Sequence, residues 1–132
     1  MRKRNRLVLS MGFGLAALAL AACSQGGGAG QAVASGEIVV KTSEWKFEPN
    51  TFRIEAGKPI KLVLNNAGMI EHDLAIAGFT PGGTEVQVAA RPGEKASVEF
   101  TPDKPGVYEV VCTLPGHKSA GMVGKIEVIA AR

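Results

Sequence analysis

Hydrophobic and polar residues alternate along most of the chain after residue 36, in short runs that end at glycine, proline or asparagine. The clearest run lies between Pro59 and Asn65, where Ile60, Leu62 and Leu64 occupy every second position. This period of two is typical of a β-strand with one face in a core. The pattern predicts eight strands, at Glu37–Thr42, Trp45–Glu55 with a break at Glu-Pro-Asn (48–50), Pro59–Asn65, His72–Ala77, Glu85–Ala89, Lys95–Thr101, Val107–Thr113 and Val123–Ile129.

No segment has a helical period of useful length, and Gly- and Pro-containing turn signals separate the predicted strands. Short strands at such spacing indicate an antiparallel β-sandwich. The sequence therefore predicts an all-β domain of about eight strands.

The first residues follow a different pattern. Four basic residues lie within the first six positions, and the apolar run over 7–20 that follows is typical of an export signal but short for a membrane span. The run ends in Leu-Ala-Ala-Cys at 20–23, which resembles the lipidation signal of bacterial lipoproteins. Cys23 is thus the expected lipidation site.

These segments predict the domain organisation. We expect a signal peptide at 1–22, a lipidated cysteine with a flexible Gly-rich tether at 23–36, and one folded domain at 37–132. An uncleaved N-terminal anchor is the alternative. Either arrangement exports the domain and attaches it to a membrane, on the periplasmic or the cell-surface face. Ser24, the residue after the expected lipidation site, weakly favours the outer membrane as the location of the protein in a two-membrane cell.

The charge of the chain changes once the signal is removed. The whole sequence has a net charge of +3, but four of its 15 basic residues precede Cys23, while all 12 acidic residues follow it. The mature chain is therefore nearly neutral, and no basic patch favours nucleic acid as a partner.

Candidate chemistry is concentrated near the C-terminus, where Cys112, His117 and Met122 form the pattern Cys-x4-His-x4-Met. Each residue alone is more often structural, but a thiolate, an imidazole and a thioether together suit copper. The chain has two histidines, so His72 is the candidate for a second imidazole. If Cys23 is lipidated, Cys112 has no disulfide partner, and metal ligation would protect its thiol from oxidation.

The segment Gly-Val-Tyr-Glu-Val-Val-Cys-Thr-Leu-Pro-Gly-His, followed by Gly-Met, resembles the ligand loop of the cupredoxins, or type 1 blue copper proteins. The spacing is closest to auracyanin and rusticyanin-like members, and His72 in Ile-Glu-His-Asp-Leu is similar to their upstream ligand. The resemblance spans 37–132. It implies a Greek-key antiparallel β-sandwich that binds one type 1 copper ion, cycling between Cu(I) and Cu(II), through His72, Cys112, His117 and Met122.

The resemblance also implies roles for residues around the metal. The residue after the upstream histidine is often asparagine in cupredoxins, whereas this chain has Asp73. We expect Asp73 to lock the ligand loop; the alternative is that its carboxylate lowers the reduction potential. His117 is expected to reach the surface as the electron port, inside an apolar docking patch that includes Leu114 and Pro115. Tyr108 resembles the tyrosine corner of Greek-key sandwiches.

The predicted function is a membrane-anchored, monomeric electron carrier that shuttles single electrons between redox partners at the cell envelope. Such partners include c-type cytochromes and membrane electron-transfer complexes. An enzyme is not expected, because no histidine is left for a second copper centre and the loop has one cysteine rather than the two of a CuA centre. The alternatives are an extracytoplasmic copper chaperone or storage protein, a sandwich that has lost its metal, and a red copper or nitric-oxide-binding variant in which a carboxylate such as Glu71 replaces the axial methionine.

Overall fold

The computed structural model describes residues 33–132. Within this range the alternating sequence forms two β-sheets whose apolar faces pack together. The strands are β1 (Gly36–Ser43), β2 (Lys46–Glu48), β3 (Thr51–Glu55), β4 (Ile60–Asn66), β5 (His72–Ile76), β6 (Val86–Ala90), β7 (Lys95–Phe100), β8 (Gly106–Val111) and β9 (Val123–Ile129).

One sheet has the strand order β2-β1-β4-β7, and the other has the order β3-β9-β8-β5-β6. This arrangement confirms the predicted all-β sandwich. The described residues contain nine strands rather than about eight, because the segment at 45–55, predicted with a break at Glu-Pro-Asn but counted once, forms two strands, β2 and β3, on either side of this break. Proline has no N–H for a strand ladder, and the chain crosses here from one sheet to the other.

Two strand pairs are parallel, β1 with β4 and β3 with β9, while the remaining pairs are antiparallel. The predicted antiparallel sandwich therefore has a parallel pair in each sheet. Alternation of side chains could not reveal them, because side chains point to alternate faces whichever way the neighbouring strand runs.

Strand β5 places polar side chains in the interior of the sandwich. Strands such as β4 and β6 alternate buried and exposed positions, as the sequence predicts, but all five residues of β5 are buried. His72 and Asp73 therefore begin a strand that has no solvent-facing side. Buried polar groups of this kind require partners.

The sandwich begins slightly before the predicted domain boundary. Strand β1 starts at Gly36, and Ala34 forms a parallel bridge with Ile54. The predicted signal peptide, Cys23 and the first part of the predicted tether lie outside the described residues. No helix in the described part of the chain has the length and apolarity to cross a membrane.

The predicted tyrosine corner is confirmed. The Tyr108 hydroxyl donates a hydrogen bond to the backbone carbonyl of Lys104 at 3.0 Å. Val110 on the same strand and Cys112 just after its end are fully buried, whereas Val107 is 70% exposed. The side-chain period thus places the thiol on the core side of β8, as the sequence predicts.

Candidate metal centre

Three of the predicted ligands meet at one end of the sandwich. His72 is the first residue of β5, Cys112 follows the last residue of β8, and His117 lies in the turn that leads to β9. Their potential ligand atoms all lie within 4.8 Å of one another, and all three side chains are buried. The Cys112 Sγ is 3.2 Å from the His117 Nδ1.

Backbone hydrogen bonds close the ligand loop on itself. The Met122 N–H donates to the His117 carbonyl at 3.1 Å, and the Cys112 N–H donates to the Met122 carbonyl at 3.3 Å. Gly116 and Gly121 have φ angles of 84° and 101°, which side chains rarely adopt, so they allow the tight turns between these bonds. Met122 therefore returns beside Cys112, where its side chain is fully buried.

The surroundings of the His72 imidazole are those expected of a metal ligand. The side chain is fully buried, and neither ring nitrogen has a hydrogen-bond partner within residues 33–132. A buried polar atom without a partner costs about 1–3 kcal/mol, so this arrangement fits a site built for another group. Burial lowers the pKa of His72, and the nearby His117 lowers it further. The imidazole is thus held neutral, which is the form that binds metals.

The Cys112 thiol is protonated in the metal-free protein. Burial raises its pKa to about 11, against opposing backbone hydrogen bonds from Asp73 and Leu114. Because a thiolate is the form that ligates metal, copper binding here displaces a proton.

Asp73 joins the two segments that carry His72 and Cys112. Its Oδ1 accepts a hydrogen bond from the Thr113 N–H at 2.6 Å, while its Oδ2 accepts from the Thr113 hydroxyl and from the Gln87 amide. Burial alone would raise the pKa of Asp73, but the hydrogen bonds from Thr113, the Cys112 side chain and Gln87 together hold it below its usual value. The carboxylate is therefore ionised, with contacts that suit the predicted role of loop lock.

Two residues that sequence reasoning missed lie in the turn between β1 and β2. The Trp45 ring packs edge-on against the His117 ring, with centroids 4.9 Å apart. Trp45 is 44% exposed, whereas His117 is only 7% exposed. The Glu44 Oε1 lies 4.0 Å from the His72 Nε2. Neither residue belongs to a ligand motif, and only the strand pairing brings this turn to the site.

The other predicted residues lie around the cluster. Leu114 packs partly buried against the core, and Pro115 is exposed; with Lys118 they line a shallow depression beside Cys112. Lys118 forms an exposed ion pair with Glu109 at 2.8 Å. Glu71 is exposed and is not part of the ligand cluster, so the carboxylate that faces His72 is that of Glu44.

A buried thiolate donor, two imidazoles and a methionine form the donor set of a type 1 copper site, and they occur here at one end of a β-sandwich. The fold and the site together define a copper-binding protein of the blue copper class. The chain belongs to the cupredoxin family, since the model of the cupredoxin-like domain matches residues 11–126.

Known proteins with similar sequences include both copper-resistance proteins and enzymes. The copper-resistant cuproprotein CopI of Rubrivivax gelatinosus is 31% identical over 68% of this chain, and the match spans 64% of the relative's length. A match of 39% identity covers 51% of this chain but 10% of the nitrous-oxide reductase of Cupriavidus necator. Related domains thus also occur inside enzymes.

Among solved structures, dithionite-reduced auracyanin from Roseiflexus castenholzii is similar with a TM-score of 0.64. The match has 21% sequence identity and covers 73% of this chain and 98% of that one. At this identity the likeness concerns the fold.

The position of Trp45 predicts a fluorescence signal for copper loading. Trp45 is the only tryptophan of the chain, and it contacts the ring of His117. We expect Cu(II) to quench its emission strongly, because an open-shell ion close to an indole accepts its excitation energy. Closed-shell Zn(II) should quench far less. Titration of the metal-free protein, with Trp45→Phe as the blank, measures the effect; equal quenching by both metals would contradict it.

Proposed function

We propose that this protein is an electron carrier that moves single electrons between redox proteins at the cell envelope. The observation that carries the proposal is the buried, preassembled donor set, in which His72 is fully enclosed and has no hydrogen-bond partner in the described part of the chain. An enclosed site holds its metal through repeated redox cycles, whereas a site that hands metal on needs exposure and easy exchange. Copper would supply the one-electron redox change between Cu(I) and Cu(II).

The residues that hold the ion would limit the structural rearrangement that accompanies the change between Cu(I) and Cu(II). His72, Cys112, His117 and Met122 would hold the ion, and the bonds of Asp73 to Thr113 would keep two ligand segments at a fixed separation. Rigid placement favours electron transfer because little rearrangement accompanies each electron. Hydrogen bonds to the sulfur and the apolar surroundings tune the potential.

The same end of the molecule offers a surface for a transient partner. Trp45 is exposed directly over His117, and Leu114, Pro115 and Lys118 line the neighbouring depression. We expect a small interface with c-type cytochromes or membrane electron-transfer complexes. A lipid anchor at Cys23 would hold a monomeric domain near such partners, on the periplasmic or cell-surface face of a membrane.

A copper chaperone or storage protein is the second candidate, because the relative in Rubrivivax gelatinosus is named a copper-resistant cuproprotein. The same four donors could retain copper for detoxification rather than for electron transfer.

A visible titration distinguishes the two candidates. For the domain from Gly36 onward, we expect Cu(II) to produce an intense blue or green thiolate charge-transfer band that saturates at about one ion per chain. Ascorbate should bleach the band, and reoxidation should restore it without loss of copper to a chelator. Weak colour, or copper that exchanges freely and does not cycle, would contradict the electron-carrier proposal and favour copper handling.

A further inference from the structure

The Nε2 edge of the His72 ring lies beside Gly68 and Glu44. A Cβ added at Gly68 would lie 3.1 Å from His72 Nε2 and 2.7 Å from the Oε1 of Glu44. The backbone of Gly68 and the carboxylate of Glu44 therefore both border this edge, and a side chain at position 68 would occupy the space that the carboxylate uses. The Nδ1 atom is left as the nitrogen that can bind a metal in the cluster.

The carboxylate of Glu44 is held in place by backbone contacts. The Met69 N–H donates a hydrogen bond of 2.6 Å to Glu44 Oε1. The turn that carries Glu44 follows β1, and the Ala67 N–H donates to the Thr42 carbonyl at 2.9 Å at the end of this strand. The turn and the loop that precedes His72 are thus attached to each other, so the fold itself brings the carboxylate to the ring.

A histidine that binds metal through one nitrogen carries a proton on the other, and that proton usually goes to a carboxylate, a carbonyl or water. His72 Nε2 has no hydrogen-bond partner among the described residues, and Glu44 Oε1 lies 4.0 Å from it in ion-pair range. The Glu44 side chain is 40% exposed, so a small rotation can close this distance to a hydrogen bond of about 3 Å.

We propose that Glu44 is a positioning residue for His72, which it holds in the Nε2–H tautomer with Nδ1 free for copper, while its negative charge stabilises the oxidised ion. The inference rests on the proposed copper redox function. The sulfur and the two imidazoles would supply the coordination, and Glu44 would act only through His72. Charge beside a ligand favours Cu(II) over Cu(I), so Glu44 lowers the reduction potential.

The tautomer is tested in the copper-free protein, which makes this measurement independent of electron transfer. Long-range ¹⁵N–¹H correlation spectra at neutral pH should show His72 as the Nε2–H tautomer in the wild type. Glu44→Ala should give a mixture of tautomers, because it removes the acceptor. Glu71→Gln is the matched control, since Glu71 directly precedes His72 but is exposed. An unchanged tautomer in Glu44→Ala would overturn the proposal.

The charge is tested by the midpoint potential of the copper-loaded variants. Glu44→Gln keeps an acceptor for the Met69 amide but removes the charge, so its potential should rise above those of the wild type and Glu71→Gln. Equal shifts of the midpoint potential in Glu44→Gln and Glu71→Gln would mean that Glu44 acts only as a general surface charge. Loss of copper binding in Glu44→Gln would mean that Glu44 is a direct ligand. Either result would overturn the proposal. A wild-type protein that does not cycle would instead contradict the electron-carrier function, and the tautomer measurement would still decide the role of Glu44.

Discussion

Replacement of Cys112 by serine is expected to abolish the coloured copper complex while the β-sandwich stays folded. The thiolate supplies the charge-transfer band, and a serine hydroxyl is not deprotonated near neutral pH. Cys112 is central to the cluster, with its sulfur 3.2 Å from His117 Nδ1. We expect a loss of copper affinity beyond the roughly 100-fold that changes outside the ligand set typically cause. Absorption spectra and competition with a copper chelator measure both effects.

The folded state of Cys112→Ser must be checked separately, because the side chain is fully buried. Burial of a hydroxyl in place of the thiol costs about 1–3 kcal/mol, which circular dichroism on thermal unfolding of the metal-free protein would detect. Met122→Leu is the matched control, since it preserves the volume of another buried donor but leaves the thiolate. We expect this variant to remain coloured with a shifted band. A coloured Cys112→Ser protein would contradict the assignment of the sulfur as a ligand.

The ligand set could be predicted from the sequence because three of its members lie close together in the chain. The spacing of Cys112, His117 and Met122 is local, and the strand period already places Cys112 on the core side of β8. His72 could be assigned because the chain offers two histidines. Its exact surroundings could not, since they depend on the pairing of β5 with β6 and β8.

The turn that holds Glu44 and Trp45 could not be placed from the sequence. This turn lies at the metal site because the preceding strand, β1, pairs in parallel with β4, from Gly36 beside Ile60 to Thr42 beside Asn66. A parallel pairing joins segments that are distant in sequence and leaves no trace in the alternation of side chains. The division at Pro49 was visible in the sequence, but the crossing between sheets that it produces was not.

Loss of the Asp73 carboxylate is expected to destabilise both the fold and the metal site. Asp73→Ala would leave the Thr113 amide and hydroxyl and the Gln87 amide without their buried acceptor. Hydrogen bonds to charged groups contribute about 1.5–3 kcal/mol each, with much overlap between them. We therefore expect a loss of about 3 kcal/mol in the free energy of unfolding, or roughly 15 °C in Tm. Denaturant and thermal unfolding of the metal-free protein measure it.

The effect of Asp73→Ala depends on pH in a direction that the structure fixes. The pKa of Asp73 is lowered from its ordinary value of 3.8 in the folded protein. Its ionised form thus contributes stability that is complete above the unfolded-state pKa and is lost as the pH falls through the folded-state pKa. The difference in unfolding free energy between wild type and Asp73→Ala should be constant near neutral pH and should narrow below about pH 4.

Asp73→Asn separates the charge from the hydrogen bonds. Asparagine keeps one oxygen that can accept from the Thr113 N–H, so we expect this variant to lose about half as much stability as the alanine variant. Neither variant has an ionisable group at position 73, so the difference in unfolding free energy between the two variants should not change in acid. If Asp73 acts only as a lock, Asp73→Ala should bind copper about 10–100-fold more weakly but should still form the coloured complex. Complete loss of copper binding would mean that Asp73 does more than hold Thr113, and an alanine variant as stable as the wild type would contradict its role as a lock.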